Sequence, residues 1–269
     1  MCRRLGMTRQ NYYARRRRRQ RREANKGLIR QLVQQERQMQ PRLGTRKLHK
    51  MLSRPLGKAG VQIGRDRFFE VMRELDLLLE PLRSETPRTT CSYHYLPVFT
   101  NLVREREFNE SNEAWAADIT YLRTREGFVY LALLTDMRSR KIVGYHCGDT
   151  LEALGCVKAL EMALENLPKD AHPIHHSDRG IQYCSHEYVN RLRSRGLSIS
   201  MTEHDHCAEN ALAERVNGIL KSEYSLGAKF ETKKQAVGAV KQAVHLYNTR
   251  RPHLALNYAV PETVHSLAA

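Results

Sequence analysis

IHHSDRGIQYCS (174–185) and ENALAERVNGILKSE (209–223) are the two stretches that decide the interpretation of this sequence. Asp178 follows a short apolar segment with strand character, and Glu214 lies within a pattern of helical period. Between them lie 35 residues, 179–213. A third carboxylate, Asp118, occurs in an earlier apolar stretch. Three convergent carboxylates without an evident nucleophile favour divalent metal ions and phosphate chemistry.

The pattern around Asp118 predicts a strand. In EAWAADITYLRT (113–124), one face is formed by Trp115, Ala117, Ile119 and Tyr121, and Asp118 points the other way. Further strands are predicted at residues 128–137, 141–148, 172–178 and 197–201. Helices are predicted at residues 152–167, 185–196, 208–223 and 233–248. The fold class is therefore α/β, with helices flanking one mixed five-stranded sheet.

The helical phase of 209–223 selects one acid among several. Glu214 lies on one line with Asn210, Asn217 and Lys221, at steps of three or four residues. Asn210 and Lys221 are donors suited to phosphate oxygens. Glu209 lies off this line. Glu214 is therefore the acid expected to join Asp118 and Asp178.

The positive charge is concentrated in the N-terminal part of the chain. The formal net charge is +16, and residues 1–60 hold 19 Lys and Arg against two acids. A nearly unbroken basic run contains Arg15, Arg16, Arg17, Arg18 and Arg19. This asymmetry favours DNA or another polyanion as the partner of this arm, and a solvated basic tail is the alternative.

The N-terminal region is expected to be helical. A helix is predicted over 7–40, a second from Thr45 as N-cap to Leu52, then a loop containing Pro55, then a third helix over 65–81. The second and third of these helices, with the loop between them, resemble a helix-turn-helix. A small helical bundle that only supports the next domain is the alternative. We expect a basic helical DNA-binding region at residues 1–95, a linker at 96–110, and a catalytic domain with a C-terminal extension at 111–269.

These stretches resemble the OrfB-type transposases of bacterial insertion sequences, which have a DDE, retroviral-integrase-like catalytic core. The likeness extends over most of the chain and includes PRLGTRKLH (41–49), WAADITYL (115–122), HSDRGIQY (176–183), ENALAERVNGILKSE (209–223) and YNTRRPHLALNYAVPE (247–262). The DDE spacing of 35 residues is matched by Asp178 and Glu214. The chain departs from the family pattern at Glu209, where Asp is common, and in the residues just before it.

The resemblance implies an RNase H-like core in which Asp118, Asp178 and Glu214 are the catalytic residues and hold two Mg²⁺ (or Mn²⁺) ions. Lys221 matches the basic residue that contacts the element-end DNA. The implied reaction is 3′-end nicking of insertion-sequence ends followed by strand transfer. The implied partners are those DNA ends, target DNA, further copies of the chain, and a DNA-binding protein from an upstream frame, fused or associated.

Two other functions are compatible with parts of the sequence. One is a catalytically inactive DNA-binding remnant, which the intact carboxylate triad disfavours. The other is an RNase H-type nuclease that cuts without joining, which the basic arm and the C-terminal block disfavour. In that block, Arg250, Arg251 and His253 either contact DNA or pack across the sheet.

Membrane and zinc chemistry find little support in the sequence. No run of 18 or more apolar residues occurs, so a membrane partner is not expected and the expected compartment is the bacterial cytoplasm, at the nucleoid when DNA is bound. The histidines and cysteines lack the spacing of a structural zinc finger. His176 is expected to form a hydrogen bond near the carboxylates.

Overall fold

The structure is a computed structural model that describes residues 8–80, 95–203 and 209–267. The chain divides into two compact units, Met1–Pro81 and Leu82–Ala269. Apolar clusters fill the interior of each unit. The finer boundaries predicted at residues 95 and 111 remain predictions.

The described part of the N-terminal unit, residues 8–80, contains three α-helices. They are α1 (Arg9–Met39), α2 (Thr45–Lys58) and α3 (Arg65–Glu74). The hydroxyl of Thr8 begins α1 by accepting the Asn11 backbone N–H at 3.2 Å. The three helices bury a common apolar cluster whose fully covered members include Val33, Leu43, Leu48, Leu56, Phe68 and Met72. The predicted helical N-terminal region is confirmed.

Both predicted boundaries of α2 are wrong. Helix α2 begins one residue earlier than expected, with Gly44 in the N-cap position and Thr45 inside the helix. It also continues through Pro55, where a loop was expected. Leu48, Leu52 and Leu56 recur every four residues and are buried, so their packing outweighs the roughly 3 kcal/mol that an interior proline costs.

Helix α3 ends at Glu74, whereas the sequence predicted helix to residue 81. Asp76 takes a left-handed conformation, with φ of 54°. The Leu77 N–H donates to the Met72 carbonyl at 2.8 Å, which closes the helix end. Leucine spacing continued beyond this point, but the closing turn carries no glycine that would have revealed it.

The second unit is built on a five-stranded mixed sheet. Its strands are β1 (Ala114–Thr124), β2 (Gly127–Asp136), β3 (Ile142–Gly148), β4 (Ile174–Ser177) and β5 (Ser198–Met201). The first three form an antiparallel meander, and β4 and β5 extend it in parallel on the other side of β1, giving the order β3-β2-β1-β4-β5. The predicted mixed sheet is confirmed.

Apolar cores cover both faces of this sheet. Trp115 and Ala117 pack on one face, where helices α4 (Ala153–Glu165) and α6 (His186–Ser194) supply the other half of the core. On the opposite face, Leu122 joins residues of α7 (Ala211–Glu223) and α8 (Lys233–Thr249). The predicted alternation along β1 is therefore confirmed by its packing partners.

A short helix was not predicted from the sequence. Helix α5 (Ile181–Cys184) directly follows Gly180, and it is too short for helical periodicity to show. Its Gln182 side-chain amide donates to the Leu151 carbonyl at 2.9 Å. Helix α5 thereby ties the segment after Asp178 to the segment before α4.

The C-terminal block packs against the sheet. Asn248 forms two 2.9 Å hydrogen bonds with the backbone of Ile142 in β3. The buried Arg251 guanidinium binds both carboxylate oxygens of Glu223 at 2.8 and 2.9 Å, and His253 at 2.8 Å. A short 3-10 helix (Leu254–Leu256) and α9 (Pro261–Ser266) follow in the described part of the chain. Of the two roles considered for this block, packing is the one observed for Arg251 and His253.

Across the described part of the chain, the helices are too short or too polar to span a bilayer.

Candidate active site

Asp118 lies in the middle of β1 and is held from two directions. Its Oδ2 accepts a 2.7 Å hydrogen bond from the Asn217 side-chain amide of α7. Its Oδ1 accepts the Ile119 backbone N–H at 2.8 Å. The side chain is partly buried. The carboxylate is therefore fixed between the central strand and α7.

Asp178 reaches the same edge of the sheet because of the strand register. Strands β1 and β4 run parallel, and Ala116 pairs with His176. Asp118 and Asp178 each lie two residues beyond that pair, so Asp118 in the middle of β1 lies beside the carboxyl end of β4. Open α/β sheets bind ligands at such strand ends. Asp178 Oδ1 accepts the Gly180 backbone N–H at 2.9 Å, which fixes the turn into α5.

The two aspartates line one small cavity. It has a volume of about 20 Å³, which is room for one water molecule or ion. The other lining residues come from β1, β2, the segment before α4, and α5 with the glycine before it. They are Ile119, Thr120, Tyr121, Tyr130, Leu151, Gly180, Gln182 and Tyr183.

Glu214 lies in the first turn of α7 and is exposed. It is close enough for its negative charge to raise the pKa of Asp118. It does not line the cavity of Asp118 and Asp178. Among the described residues, no three His, Cys, Asp or Glu side chains are arranged to hold a metal ion together. The structure therefore brings two of the predicted ligands together and places the third nearby.

The electrostatics of Asp118 are unusual for a carboxyl group. Burial, the charge of Asp178 and, more weakly, the charge of Glu214 raise its pKa from 3.8 to about 7. The hydrogen bonds from Asn217 and Ile119 act in the opposite direction and are outweighed. A bound cation would offset both the burial and the repulsion.

These carboxylates fit a divalent metal ion. They provide oxygen ligands, which Mg²⁺ and Mn²⁺ prefer, beside a cavity of the right size. Asn217 adds a buried side-chain oxygen that has no hydrogen-bond partner within the described residues. The donor set and the raised pKa of Asp118 together support metal binding at this edge.

The Glu209 carboxylate forms hydrogen bonds outside the cavity that Asp118 and Asp178 line. Its carboxylate accepts the Glu203 backbone N–H and a 2.5 Å hydrogen bond from Arg104. Burial acts to raise the pKa of Glu209, but these partners outweigh it and lower the pKa to about 2. Glu209 is thus engaged in contacts away from the cavity, and the choice of Glu214 on helical phase remains a prediction.

The two donors predicted on α7 differ in their surroundings. Asn210 is buried, and its side-chain amide donates to the Ala117 carbonyl at 3.1 Å. Lys221 holds its ammonium group 4.8 Å from the centre of the Tyr121 ring, and burial lowers its pKa. Asn210 therefore anchors α7 to β1, while Lys221 is held beside the cavity by an aromatic ring.

Two contributors were missed from the sequence. Asn217 was placed on the Glu214 face of the helix without a role, although its spacing from Glu214 was the available signal. Tyr121 was grouped with the apolar face, yet it lines the cavity and contacts Lys221. Its proximity depends on how α7 crosses β1, which no local pattern encodes.

The basic run lies in the N-terminal unit. Arg15, Arg16, Arg17, Arg18 and Arg19 all belong to α1 and are exposed. Tyr12 and Tyr13 precede them, with ring centroids 5.5 Å apart. The predicted contacts of these arginines and of Lys221 and Asn210 with DNA remain predictions.

Comparison with known proteins agrees with this architecture. Residues 109–207 match a family model described as an integrase core domain, and residues 195–261 match a second model of the same description. The "Insertion element IS600 uncharacterized 31 kDa protein" of Shigella sonnei is 35% identical over 232 residues, covering 84% of each chain. Transposase InsF for insertion sequence IS3A of Escherichia coli (strain K12) is 38% identical over 163 residues, covering 60% of this chain and 56% of that protein.

A solved structure shares the fold. It is a cryoEM structure of the simian T-cell lymphotropic virus intasome in complex with PP2A regulatory subunit B56 gamma, with a TM-score of 0.50 and 17% identity. The match covers 82% of this chain and 74% of that chain.

The mixed sheet and the aspartates at its edge define an RNase H-like core of the integrase type. Within that class, the chain belongs to the insertion-sequence transposases with an integrase-like catalytic core. Proteins of this family are metal-dependent polynucleotidyl transferases that act on DNA in recombination.

Proposed function

We propose that this chain is a DDE transposase that nicks the 3′ ends of its insertion sequence and joins them to other DNA. Asp118, Asp178 and Glu214 are the catalytic and metal-binding residues. One observation carries the proposal: Asp118 and Asp178 border one cavity, where burial and mutual repulsion raise the pKa of Asp118 to about 7. Because its negative charges are buried and repel one another, such a site gains stability when it binds a cation.

The three carboxylates would hold two Mg²⁺ or Mn²⁺ ions, which activate the attacking oxygen and neutralise charge on the reacting phosphate when bound. The chain supplies the supporting framework. Asn217 orients Asp118, and the Gly180 N–H orients Asp178. Lys221, held over Tyr121, would contact a phosphate of the element end.

The reaction consists of two direct displacements. In the first, water attacks phosphorus at the element end, and a new P–O bond forms as the bond to the 3′ oxygen breaks. In the second, the freed 3′-hydroxyl attacks phosphorus in another strand and displaces that strand's 3′ oxygen. Tyr183 lines the cavity, but its burial raises its pKa well above the ordinary value and disfavours it as a nucleophile.

The partners follow from this reaction. Element ends and target DNA would be bound through Lys221 and the arginines of α1. Two ends must be brought together, so further copies of the chain are expected to assemble on DNA. A DNA-binding protein from an upstream frame, fused or associated, is a further proposed partner.

A metal-dependent assay tests the proposal. Purified protein is incubated with labelled duplexes that carry the two ends of its insertion sequence, in Mg²⁺ or Mn²⁺. We expect 3′-end nicking and joined products from the native chain and at least a hundredfold loss, on the order expected for a catalytic group, in Asp178→Ala. Asp170→Ala, which changes an exposed aspartate before β4, is the matched control and retains activity.

The products distinguish the competing functions. Equal activity in the native chain and Asp178→Ala would overturn the site assignment. Cleavage without joined products would favour a nuclease. DNA binding by the native chain without either product, at every metal concentration, would favour an inactive remnant.

A further inference from the structure

Residues 101–104 lie in the stretch predicted as a linker, and they are fastened to the catalytic unit. The Asn101 N–H donates to Glu203 at 2.9 Å, and the Leu102 N–H donates to the Ser200 hydroxyl at 2.8 Å. The Asn101 side chain accepts the backbone N–H groups of residues 103 and 104 at 3.0 and 3.1 Å, which closes a tight turn. This turn places Arg104 beside the segment that leads into α7.

Arg104 joins the two acids that flank residues 204–208. Its guanidinium contacts Glu203 at 3.0 Å and Glu209 at 2.5 Å. The Glu209 carboxylate also accepts the Glu203 backbone N–H. The exit of β5 and the entry to α7 are thereby joined through charge-assisted hydrogen bonds.

A second chain of bonds reaches the same point from inside the sheet. His176 contacts the Ser200 hydroxyl through Nδ1 at 2.8 Å and the Glu209 carbonyl through Nε2 at 3.1 Å. The Glu209 carbonyl can only accept, so Nε2 donates to it, and Nδ1 of the neutral ring then accepts from the Ser200 hydroxyl. His176 lies two residues before Asp178. The entry to α7 is therefore held from β4 as well.

Glu209 leads directly into the catalytic helix. The next residue, Asn210, donates its side-chain amide to the Ala117 carbonyl, beside Asp118. The Asn210 carbonyl accepts the Glu214 N–H at 3.2 Å, which is the first helical turn. A shift at Glu209 would move Glu214 relative to Asp118 and Asp178.

We propose that Arg104 and Glu209 form a positioning clamp that sets the catalytic helix against the two strands bearing Asp118 and Asp178. Neither residue touches the reacting atoms. The clamp rests on the proposed function, because it acts through Glu214. It also assigns residues 101–104 a part in catalysis, where the sequence alone indicated only a connection between domains.

The test compares Arg104→Ala and Arg104→Lys with the charge-matched control Arg106→Ala, whose residue is exposed and contacts Phe108. We expect Arg104→Ala to lower the single-turnover nicking rate about three- to tenfold with an unchanged Kd for element ends. Arg104→Lys restores part of the rate. Glu209→Gln lowers the rate similarly, and the double variant is no slower than the slower single variant.

A second measurement does not depend on activity. Hydrogen exchange at residues 214–217 of α7, whose N–H groups are the first to donate within the helix, is expected to accelerate in Arg104→Ala, while α8 is unchanged. Unchanged exchange together with an unchanged rate would overturn the clamp, as would a rise in Kd equal to the loss of rate, which would place Arg104 on the DNA. If the native chain itself proves inactive, the proposed function fails, and the exchange measurement still decides whether the clamp exists.

Discussion

The side-chain amide of Asn217 donates a 2.7 Å hydrogen bond to the carboxylate of Asp118. This bond joins α7 to the central strand, so it links the helix bearing Glu214 to the first aspartate. It favours the ionised form of Asp118, against burial and the charge of Asp178. Asn217 is therefore expected to influence both the geometry and the charge of the site.

Replacing Asn217 tests this link. Asn217→Ala removes a hydrogen bond to a charged group, worth roughly 1.5–3 kcal/mol, so we expect the nicking rate to fall about 10- to 100-fold. Asn217→Asp adds a negative charge beside Asp118 and lowers the rate further in limiting Mg²⁺. Initial rates are measured across a Mg²⁺ titration. Ala211→Ser, an exposed change in the same helix, is the control. A native rate in Asn217→Ala would contradict the link.

The raised pKa of Asp118 predicts a pH-dependent stability. The folded pKa of about 7 lies above the ordinary value of 3.8, so the unfolded state loses this proton first. The contribution of this group to stability is present below about pH 4 and is lost as the pH rises through 7. At pH 8 without metal, Asp118→Asn is expected to be about 2–4 kcal/mol more stable than the native chain.

Thermal unfolding in a chelator, at pH 4 and pH 8, measures this difference. The gap between Asp118→Asn and the native chain should appear at pH 8 and shrink at pH 4. Adding Mg²⁺ at pH 8 should raise the Tm of the native chain and leave Asp118→Asn nearly unchanged. A gap of equal size at both pH values would show that Asp118 ionises normally.

Most of the sheet could be predicted because its signal is local. The alternation along 113–124 identified β1 and the orientation of Asp118, and the mixed sheet followed from the order of elements. Glu214 was chosen by helical phase. These inferences depend on periodicity, which the sequence carries directly.

The remaining features depend on contacts distant in sequence. Helix α2 continues through Pro55 because Leu56 is buried by the other helices. The Arg104–Glu209 pair joins residues 105 positions apart, and Tyr121 meets Lys221 only because α7 crosses β1. No local pattern specifies such pairs, so they had to be seen in the folded chain.

Tyr121 is expected to orient Lys221. The ammonium group lies 4.8 Å from the ring centre, a cation–π contact worth about 0.5–2 kcal/mol. Tyr121→Phe keeps the aromatic face and should bind element ends with nearly native Kd. Tyr121→Leu should weaken binding about 2- to 30-fold. In the Lys221→Ala background both changes should have the same effect, and a persistent difference would show that Tyr121 acts independently of Lys221.

The arginines of α1 predict the salt dependence of DNA binding. Each phosphate contact contributes about 0.9 to the slope of log K against log salt, so changing Arg15–Arg19 to Gln should flatten the slope by as much as about 4.5. Filter binding at salt concentrations from about 50 to about 300 mM measures this slope. The control changes Arg65 and Arg67, which pair with Asp66 and Glu70, to Gln. If the five-arginine variant and the control have the same slope, the arginine run does not contact DNA phosphates.

Gly144 allows α4 to approach the sheet. A Cβ at this position in β3 would lie 2.1 Å from the Ala159 carbonyl oxygen and 3.0 Å from Ala163. Since the nearest atom is backbone, α4 would have to move, and Gly144→Ala should destabilise the protein by at least about 1–3 kcal/mol. Gly238 is the opposite case, because it is exposed in α8 and a Cβ there would have no other atom within 4 Å. Gly238→Ala should therefore raise the free energy of unfolding by about 0.5–1 kcal/mol. Denaturant unfolding of both variants measures the pair, and a Gly144→Ala protein as stable as the native chain would show that α4 is not held this close to β3.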